Sequence, residues 1–368
     1  MSVADAGAIA DRLTTLGLVE WAEPVGLSAA DVDAILSSAP FEGLVCLLGA
    51  AIESGLVEVD AASGDLVATA WAELMARAVQ LDGLLLEVTA GLHAGGITNR
   101  VLKGVAVATL DEHDPSWRSY NDVDVLVPPT LLLDAVDVLA SLGLSAVIPP
   151  VSRRWAGRYA KSITLIHPSG AQVDLHRMLA TGPFGSRVRA ECLFDQSRAF
   201  EVGETSIHAL SDPHRLLHAC YHAALGGVQG ARHRRDLLLL TRSVSTTQVE
   251  AQFVDGWSPT VVATALRWAA GAPSALPDEW TRWLASVMAD ANDDELLASY
   301  EGSFRDGARA QLQAASGPME KARFAAALVW PSRAHLAARG QSRLQHLRRL
   351  VRARRFGDRV PNNTESAP

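Results

Sequence analysis

The stretch Asn121-Asp-Val-Asp-Val-Leu-Val127 decides the fold class, because acidic and aliphatic residues alternate along it. A period of two places the aliphatic side chains on one face of a β-strand and Asp122 and Asp124 together on the other. Pro128 and Pro129 end the strand, since proline cannot donate a hydrogen bond to a neighbouring strand. The sequence therefore predicts a strand with one buried face and two adjacent carboxylates on the opposite face.

A second β signal follows about fifty residues later. Residues Ser162–His167 and Ala171–His176 are rich in β-branched and aliphatic residues, and they flank the turn Pro168-Ser169-Gly170. Two such runs around a short turn predict a hairpin. Asp174 and His176 share one face of its second strand, because residues two apart point the same way.

Asp174 occupies on the second strand the place that Asp122 and Asp124 occupy on the first. If the two strands are neighbours, three carboxylates converge on one point and repel one another. A hard divalent cation with oxygen ligands, Mg²⁺ above all, offsets such repulsion and suits a polyphosphate. The pattern needs this context, because the Asp31/Asp33 pair has the same spacing in a region that predicts a solvated helix.

Three candidates for binding phosphate precede the first strand, namely Lys103, Gly104 and Arg118. Gly104 permits close backbone approach to phosphate oxygens, and Lys103 or Arg118 could neutralise them. Lysine is rare in this chain, which has only Lys103, Lys161 and Lys321 among 33 basic residues.

Helical periodicity dominates on both sides of this region. We predict an α+β fold with a helical N-terminal domain at 1–95, a core of at least three strands at 96–205, a helical C-terminal domain at 206–356 and a tail at 357–368. A long apolar stripe over Ser63–Ala94 predicts one long helix that stops at Gly95-Gly96.

Composition excludes several classes of protein. The chain has 368 residues, 48% of them hydrophobic, and a net charge of −8, which excludes global disorder. It contains no run of 18 apolar residues, and Met1–Thr15 lacks the features of a secretory signal, so we expect a cytoplasmic protein without a membrane span. Three distant cysteines exclude a disulfide framework and a four-cysteine zinc site.

Charge is unevenly distributed, with an acidic first hundred residues and nine arginines between Arg333 and Arg359. The segment from Arg339 to Arg355 predicts an amphipathic helix with Leu344 and Leu347 on its apolar stripe. The stripe could dock on the body of the protein, or the helix could bind RNA or an anionic membrane surface.

A histidine stripe and a glycine-rich segment have less specific interpretations. His214, His218 and His222 lie four residues apart, and we interpret them as packing or as a polar lining near a cleft rather than as a zinc site. Residues Gly226–Gly230 follow a helix and lack the lysine of a phosphate-binding P-loop, so they predict a connection between helices.

The order of these motifs resembles the uncharacterised nucleotidyltransferase family within the DNA polymerase beta-like superfamily. The motifs are Leu102-Lys103-Gly104, Arg118-x-x-x-Asp122-Val-Asp124-Val-Leu-Val127 and Val173-Asp174-Leu-His176, and the resemblance extends over roughly residues 80–340. It implies a polymerase beta-like core, Asp122 and Asp124 as metal ligands, Asp174 as a third ligand or general base, and Lys103-Gly104 as the phosphate-side loop. His176 and Arg118 would complete the nucleotide site.

The resemblance implies transfer of a nucleoside monophosphate from an NTP to a hydroxyl-bearing acceptor, which would be a small molecule, a tRNA or a protein. Mg²⁺, or Mn²⁺ in its place, would be the cofactor and pyrophosphate the second product. The alternative is a non-catalytic protein that binds a nucleotide or a partner, because Gly104 is followed by Val105 where the superfamily has a serine hydroxyl. We also expect the site acids to be exposed, so that Asp124→Ala would abolish turnover without affecting the fold.

Overall fold

The computed structural model describes residues 3–37, 43–226, 230–271, 275–288, 290–298, 312 and 317–355. A mixed sheet lies in the middle of the chain and helices precede and follow it, which confirms the predicted α+β class. The predicted tail at 357–368 lies outside the described residues.

The N-terminal part is helical with one small parallel strand pair. Its elements are α1 (Val3–Leu13), β1 (Val25–Gly26), α2 (Ala29–Ser37), α3 (Val45–Glu53), β2 (Val57–Glu58) and α4 (Ala61–Ala94). Helix α4 begins where the Asp60 side chain accepts a hydrogen bond from the Ser63 amide. It ends at Gly95, and Gly96 then takes the left-handed backbone with φ +71°. This confirms the predicted long helix.

The central part forms one seven-stranded sheet in the order β5-β6-β7-β4-β3-β9-β8. Its elements are β3 (Arg100–Val101), α5 (Lys103–Leu110), β4 (Asp122–Leu126), α6 (Leu132–Ser141), β5 (Ser145–Ala146), α7 (Arg153–Tyr159), β6 (Ser162–Ile166), β7 (Gln172–His176), α8 (Gly182–Arg187), α9 (Cys192–Asp195), β8 (Ser197–Val202) and β9 (Thr205–Leu210). The predicted strand at 121–127 and the predicted hairpin are therefore both present.

Two pairings in this sheet position the candidate site. Strands β6 and β7 are antiparallel, as a hairpin requires, and β7 lies parallel to β4. Val123 and Val125 of β4 are buried in the sheet's hydrophobic core together with Leu85 and Val88 of α4. The second half of α4 thus belongs to the core of the sheet, on the N-terminal side of the predicted boundary at residue 95.

The C-terminal part is again helical. Its elements are α10 (Asp212–Leu225), α11 (Ala231–Ser243), α12 (Thr246–Glu250), α13 (Pro259–Ala269), α14 (Asp278–Ser286), α15 (Ala291–Ala298), α16 (Pro318–Val329), α17 (Arg333–Ala338) and α18 (Arg343–Arg355). Helices α10, α11 and α13 pack around a second hydrophobic core that includes the buried Trp280. Among the described residues, no helix combines the length and hydrophobicity needed to cross a membrane.

Helix α18 carries the predicted basic, amphipathic pattern. The Arg343 guanidinium lies 4.2 Å from the centre of the Trp330 ring, and His346 Nε2 is 2.9 Å from the Leu328 carbonyl oxygen. Leu347 is half-buried, but Leu344 is exposed. The apolar stripe is therefore only partly covered by the protein itself.

Buried ion pairs fasten α10 and α11 to the segment between α5 and β4. Arg235 of α11 donates to both oxygens of Glu112, at 3.0 and 2.6 Å, and also to the carbonyls of Thr14 and Leu16. Arg215 of α10 pairs with Asp111. Since Asp111 and Glu112 directly follow α5, these pairs fix the helix whose first residues are Lys103 and Gly104.

We expect Glu112→Ala to lower the free energy of unfolding by about 3–5 kcal/mol, because it leaves the Arg235 charge buried without its partner. Urea unfolding followed by tryptophan fluorescence measures the change. The matched control is Asp137→Ala in the exposed pair with Arg153, which should leave stability unchanged. Equal stability of Glu112→Ala and the wild type would show that the ion pair between Arg235 and Glu112 does not stabilise the fold.

Candidate functional site

The carboxylates meet where β4 lies beside β7. Asp124 is the direct partner of Asp174 in this parallel pair, and Asp122 is opposite Gln172. Ligand atoms of Asp124, Asp174 and His176 all lie within 4.8 Å of one another. The two strands thus bring Asp124 and Asp174 together with His176, whereas the third predicted acid, Asp122, is not part of this group.

Asp124 is the most buried of the three acids, with only 6% of its surface exposed. Its Oδ1 accepts hydrogen bonds from Lys103 Nζ at 3.2 Å and from His176 Nε2 at 2.7 Å. Burial by itself would raise the pKa of Asp124, but these two partners hold it well below its usual value. The expectation of an exposed carboxylate was wrong for Asp124, because the strand pairing encloses it between two side chains.

Asp122 has a different environment on the same face of β4. It is half-buried, and burial together with the nearby negative charge of Asp124 raises its pKa to about 6. The charges of Lys103 and Arg232 act in the opposite direction. Two carboxylates two residues apart therefore have opposite pKa shifts, because only Asp124 is hydrogen-bonded to cationic or imidazole partners.

Asp174 is half-buried and is oriented by the neighbouring hairpin strand. Thr164 is its direct partner across β6 and β7, and Thr164 Oγ1 donates a hydrogen bond of 2.6 Å to Asp174 Oδ1. This hydrogen bond leaves the second carboxylate oxygen available for a ligand or a proton.

The Lys103-Gly104 loop adjoins the acids. The Leu102 amide donates to the Asp124 carbonyl at 2.9 Å, and Lys103 then takes a left-handed backbone with φ +38°. Gly104 is non-helical, and a Cβ there would lie 3.3 Å from Tyr120 Cβ. A strained residue next to a glycine is typical of a functional turn, and it directs the Lys103 ammonium to Asp124.

Lys161 was missed as a site residue. It precedes β6, and its carbonyl accepts from the Arg177 amide, one residue beyond His176. Burial and the charge of Lys103 lower the pKa of Lys161 to about 8, while Asp124 and Asp174 act against this shift. Lys161 forms no ion pair with any residue that the structure describes. The scarcity of lysine was the signal, because two of only three lysines lie at this site.

Arg118 and Arg232 differ in whether their charge acts on the acids of the site. Arg118, predicted to neutralise phosphate, is buried and donates to both oxygens of Asp236, at 3.0 and 2.7 Å. Its guanidinium therefore fastens α11 rather than facing the acids. Arg232 of α11 is half-buried, and its charge acts on Asp122.

The histidine stripe lines a small cavity beside the site. His218, His222 and His233 border a space of about 20 Å³ that Lys103 and Asp236 also line, which is enough for a water molecule. His214 lies apart and bonds Ser211 Oγ at 2.9 Å. The only group of metal-binding character among the residues that the structure describes is Asp124, Asp174 and His176. Two of the three histidines of the stripe, His218 and His222, therefore line a cavity, as the interpretation of the stripe as a polar lining expects.

The chain is similar to known proteins both in sequence and in structure. The sequence profile described as uncharacterised nucleotidyltransferase matches residues 28–254, more than half of the chain. A crystal structure of an antigenic nucleotidyltransferase-like protein from Paracoccidioides brasiliensis is similar with a TM-score of 0.34 and 13% identity, over 59% of this chain and 95% of that one. The search of curated proteins gives no match.

The protein belongs to the uncharacterised nucleotidyltransferase family. The predicted fold, a nucleotidyltransferase core with helical flanks, is thereby confirmed. The matched range begins earlier than the predicted resemblance, which covers roughly residues 80–340, and it also ends earlier, at residue 254.

The donor set at the site fits a divalent cation. Two carboxylates and an imidazole lie within 4.8 Å of one another, and the Lys103 ammonium is the positive charge now nearest to them. Buried carboxylates that share one place need such a charge, which a metal ion supplies more strongly than an ammonium group.

We expect Asp122→Asn to stabilise the metal-free protein at pH 7.5. Asp122 ionises near pH 4 when unfolded but near 6 when folded, so the free energy of unfolding falls between these pH values and stays lower above them. Asparagine cannot ionise, so the variant should avoid this loss, and its free energy of unfolding at pH 7.5 should be higher by on the order of 1–3 kcal/mol. Urea unfolding in EDTA between pH 4 and 8 measures this. Exposed Asp33→Asn is the control, and a variant no more stable than wild type at pH 7.5 would contradict the expectation.

Proposed function

We propose that the protein transfers a nucleoside monophosphate from an NTP to a hydroxyl-bearing acceptor in a Mg²⁺-dependent reaction that releases pyrophosphate. One observation carries this proposal: Asp124 and Asp174 are direct partners on adjacent parallel strands, with Asp122 on the same face, in a chain of the nucleotidyltransferase family. The acceptor would be a small molecule, a tRNA or a protein. For a tRNA, the Arg-rich helix α18 would supply the contacts to the phosphate backbone.

In this reaction a bond forms between the acceptor oxygen and the α-phosphorus, and the bond from the α-phosphorus to the bridging oxygen of pyrophosphate breaks. Asp122, Asp124 and Asp174 would hold the divalent ions, which supply charge stabilisation to the phosphates and lower the pKa of the acceptor hydroxyl. The oxygen of Asp174 that Thr164 leaves free would either help to hold the second ion or take the hydroxyl proton. Pyrophosphate leaves with the electron pair of the broken bond.

The chain's own cations would bind the triphosphate. Lys103 and Lys161 both lie beside the acids, and the charge of Arg232 on α11 acts on Asp122. Gly104 lets the backbone of the first turn of α5 approach a phosphate oxygen. His176, predicted as part of the nucleotide site, holds Asp124 in place at the base of this arrangement.

We expect Asp174→Asn to abolish pyrophosphate release, since the amide binds metal poorly and cannot take a proton, with a loss of at least about 100-fold. A coupled pyrophosphate assay with each NTP and a panel of acceptors measures release. The matched control is Asp33→Asn in the other D-x-D pair, which lies on α2 away from the sheet. Undiminished release by Asp174→Asn would refute the assignment.

We expect Lys161→Met to weaken NTP binding about 10- to 100-fold, because it removes a charged hydrogen-bond donor to phosphate. Lys161→Arg should restore part of the affinity. Titration calorimetry with a non-hydrolysable NTP analogue gives the dissociation constants. Lys321→Met is the control, since this exposed third lysine lies on α16. Unaltered affinity in Lys161→Met would remove Lys161 from the phosphate site.

A second candidate function is nucleotide binding without transfer. The observation that favours it is the sequence Gly104-Val105, which offers no hydroxyl to the triphosphate. Calorimetry with each NTP, followed by the pyrophosphate assay, separates the two functions. Tight Mg²⁺-dependent binding without pyrophosphate release across a broad acceptor panel would favour the binding protein.

A further inference from the structure

We propose that His176 is itself a metal ligand, which joins Asp124 and Asp174 on one divalent ion through a ring nitrogen and makes the site bind Mn²⁺ more tightly than Mg²⁺. This assignment of His176 deepens the proposed function. It rests on the proposed function only in assuming that a divalent ion binds at the site. It differs from a site of three carboxylates, in which Asp122 would be the third ligand of the same ion.

The spacing of the donor atoms supports this assignment. His176 Nε2 and Asp124 Oδ1 are 2.7 Å apart, and one donor atom of each of Asp124, Asp174 and His176 lies within 4.8 Å of the other two. Neighbouring ligands of an octahedral ion at about 2.1 Å lie about 3 Å apart, and opposite ligands about 4.2 Å. These spacings are close to those of ligands that share one ion, so a small contraction of the widest spacing would let the three donors bind it. Asp122 is not a member of this group.

The hydrogen-bonding state of His176 also points to a ligand. Its side chain is 1% exposed, and Nδ1 has no hydrogen-bond partner among the residues that the structure describes. A buried imidazole with a purely structural role normally has both nitrogens satisfied. In His176 only Nε2 has a hydrogen-bond partner among the described residues, and that partner is Asp124 of the site.

A second buried imidazole is available to support a metal-bound His176. His218 Nε2 likewise has no partner among the described residues, and the charge of His176 acts on His218. A metal-bound histidine usually donates its other N–H to an acceptor, which fixes the ring. We assign His218 as the positioning residue whose Nε2 accepts a hydrogen bond from the His176 Nδ1–H when the ion is bound.

The type of ligand sets the preference for the ion. Carboxylates alone suit Mg²⁺, whereas an imidazole nitrogen adds affinity for transition ions, and Mn²⁺ has an ionic chemistry close to that of Mg²⁺. A donor set of two carboxylates and one imidazole therefore favours Mn²⁺ over Mg²⁺.

Electron paramagnetic resonance of Mn²⁺ bound to the full-length protein tests the proposal without any turnover. Spin-echo modulation should show a coupled ¹⁴N nucleus, and competition should show Mg²⁺ displacing Mn²⁺ only at an excess of at least about tenfold. Bound Mn²⁺ without nitrogen coupling, or an equal affinity for the two ions, would overturn the proposal. Absence of Mn²⁺ binding to folded protein would overturn it as well.

Two variants separate ligation from a structural role of His176. His176→Asp should retain Mn²⁺ through an oxygen but lose the nitrogen coupling, and His176→Asn should bind Mn²⁺ at least about tenfold more weakly. The matched control is His208→Gln, because His208 lies exposed on β9 of the same sheet and should leave both signals unchanged. Persistence of the nitrogen coupling in His176→Asp would overturn the assignment.

The pyrophosphate assay keeps this proposal distinct from the proposed function. Nitrogen coupling without pyrophosphate release would support His176 as a ligand and count against nucleotidyl transfer. Release without nitrogen coupling would support transfer and overturn His176 as a ligand.

Discussion

The parallel pairing of β4 with β7 places the carboxylate of Asp124 directly beside that of Asp174, and the surroundings are arranged around the negative charge that results. Each acid has its own compensation. Asp124 is held by Lys103 and His176, Asp174 by the hydroxyl of Thr164, and Asp122 has a raised pKa instead. Without this strand pairing the three acids would be ordinary surface residues. With it, Asp124 and Asp174 lie together beside His176 in a donor set that fits a divalent cation, while Asp122 has a raised pKa.

The choice between lysine and arginine follows the same logic. Away from the acids, arginines hold carboxylates with both arms of the guanidinium, as Arg118 holds Asp236 and Arg235 holds Glu112. Such bidentate pairs are suited to permanent structural links. Beside the acids the chain has lysines, and Lys103 contacts one oxygen of Asp124 through a single ammonium group. A point charge on a flexible stem can exchange an acid for a phosphate, whereas a guanidinium fork would occupy both oxygens of the carboxylate.

Local patterns were sufficient to predict the strand around Asp124, the β6–β7 hairpin and the long helix α4, whereas the meeting of Asp124 with Asp174 was predicted only on the condition that the two strands are neighbours. The hairpin turn even determines that Thr164 faces Asp174, because antiparallel partners lie at equal distances from the turn. The bond from His176 to Asp124 could not be predicted, since it depends on the register between strands about fifty residues apart. The same holds for Arg118, whose partner Asp236 lies 118 residues away, and for Lys161, whose position depends on the turn before β6.

Helix α4 links two hydrophobic cores. Val67 in its first turns packs with the N-terminal helices, whereas Leu81, Leu85 and Val88 pack against the sheet. At 1.5 Å per residue the helix is about 50 Å long, so it extends across both cores as one rod. A fragment that starts after residue 95 would expose the apolar face of the sheet to water and favour aggregation. The smallest unit of this chain suitable for expression in isolation must therefore retain α4.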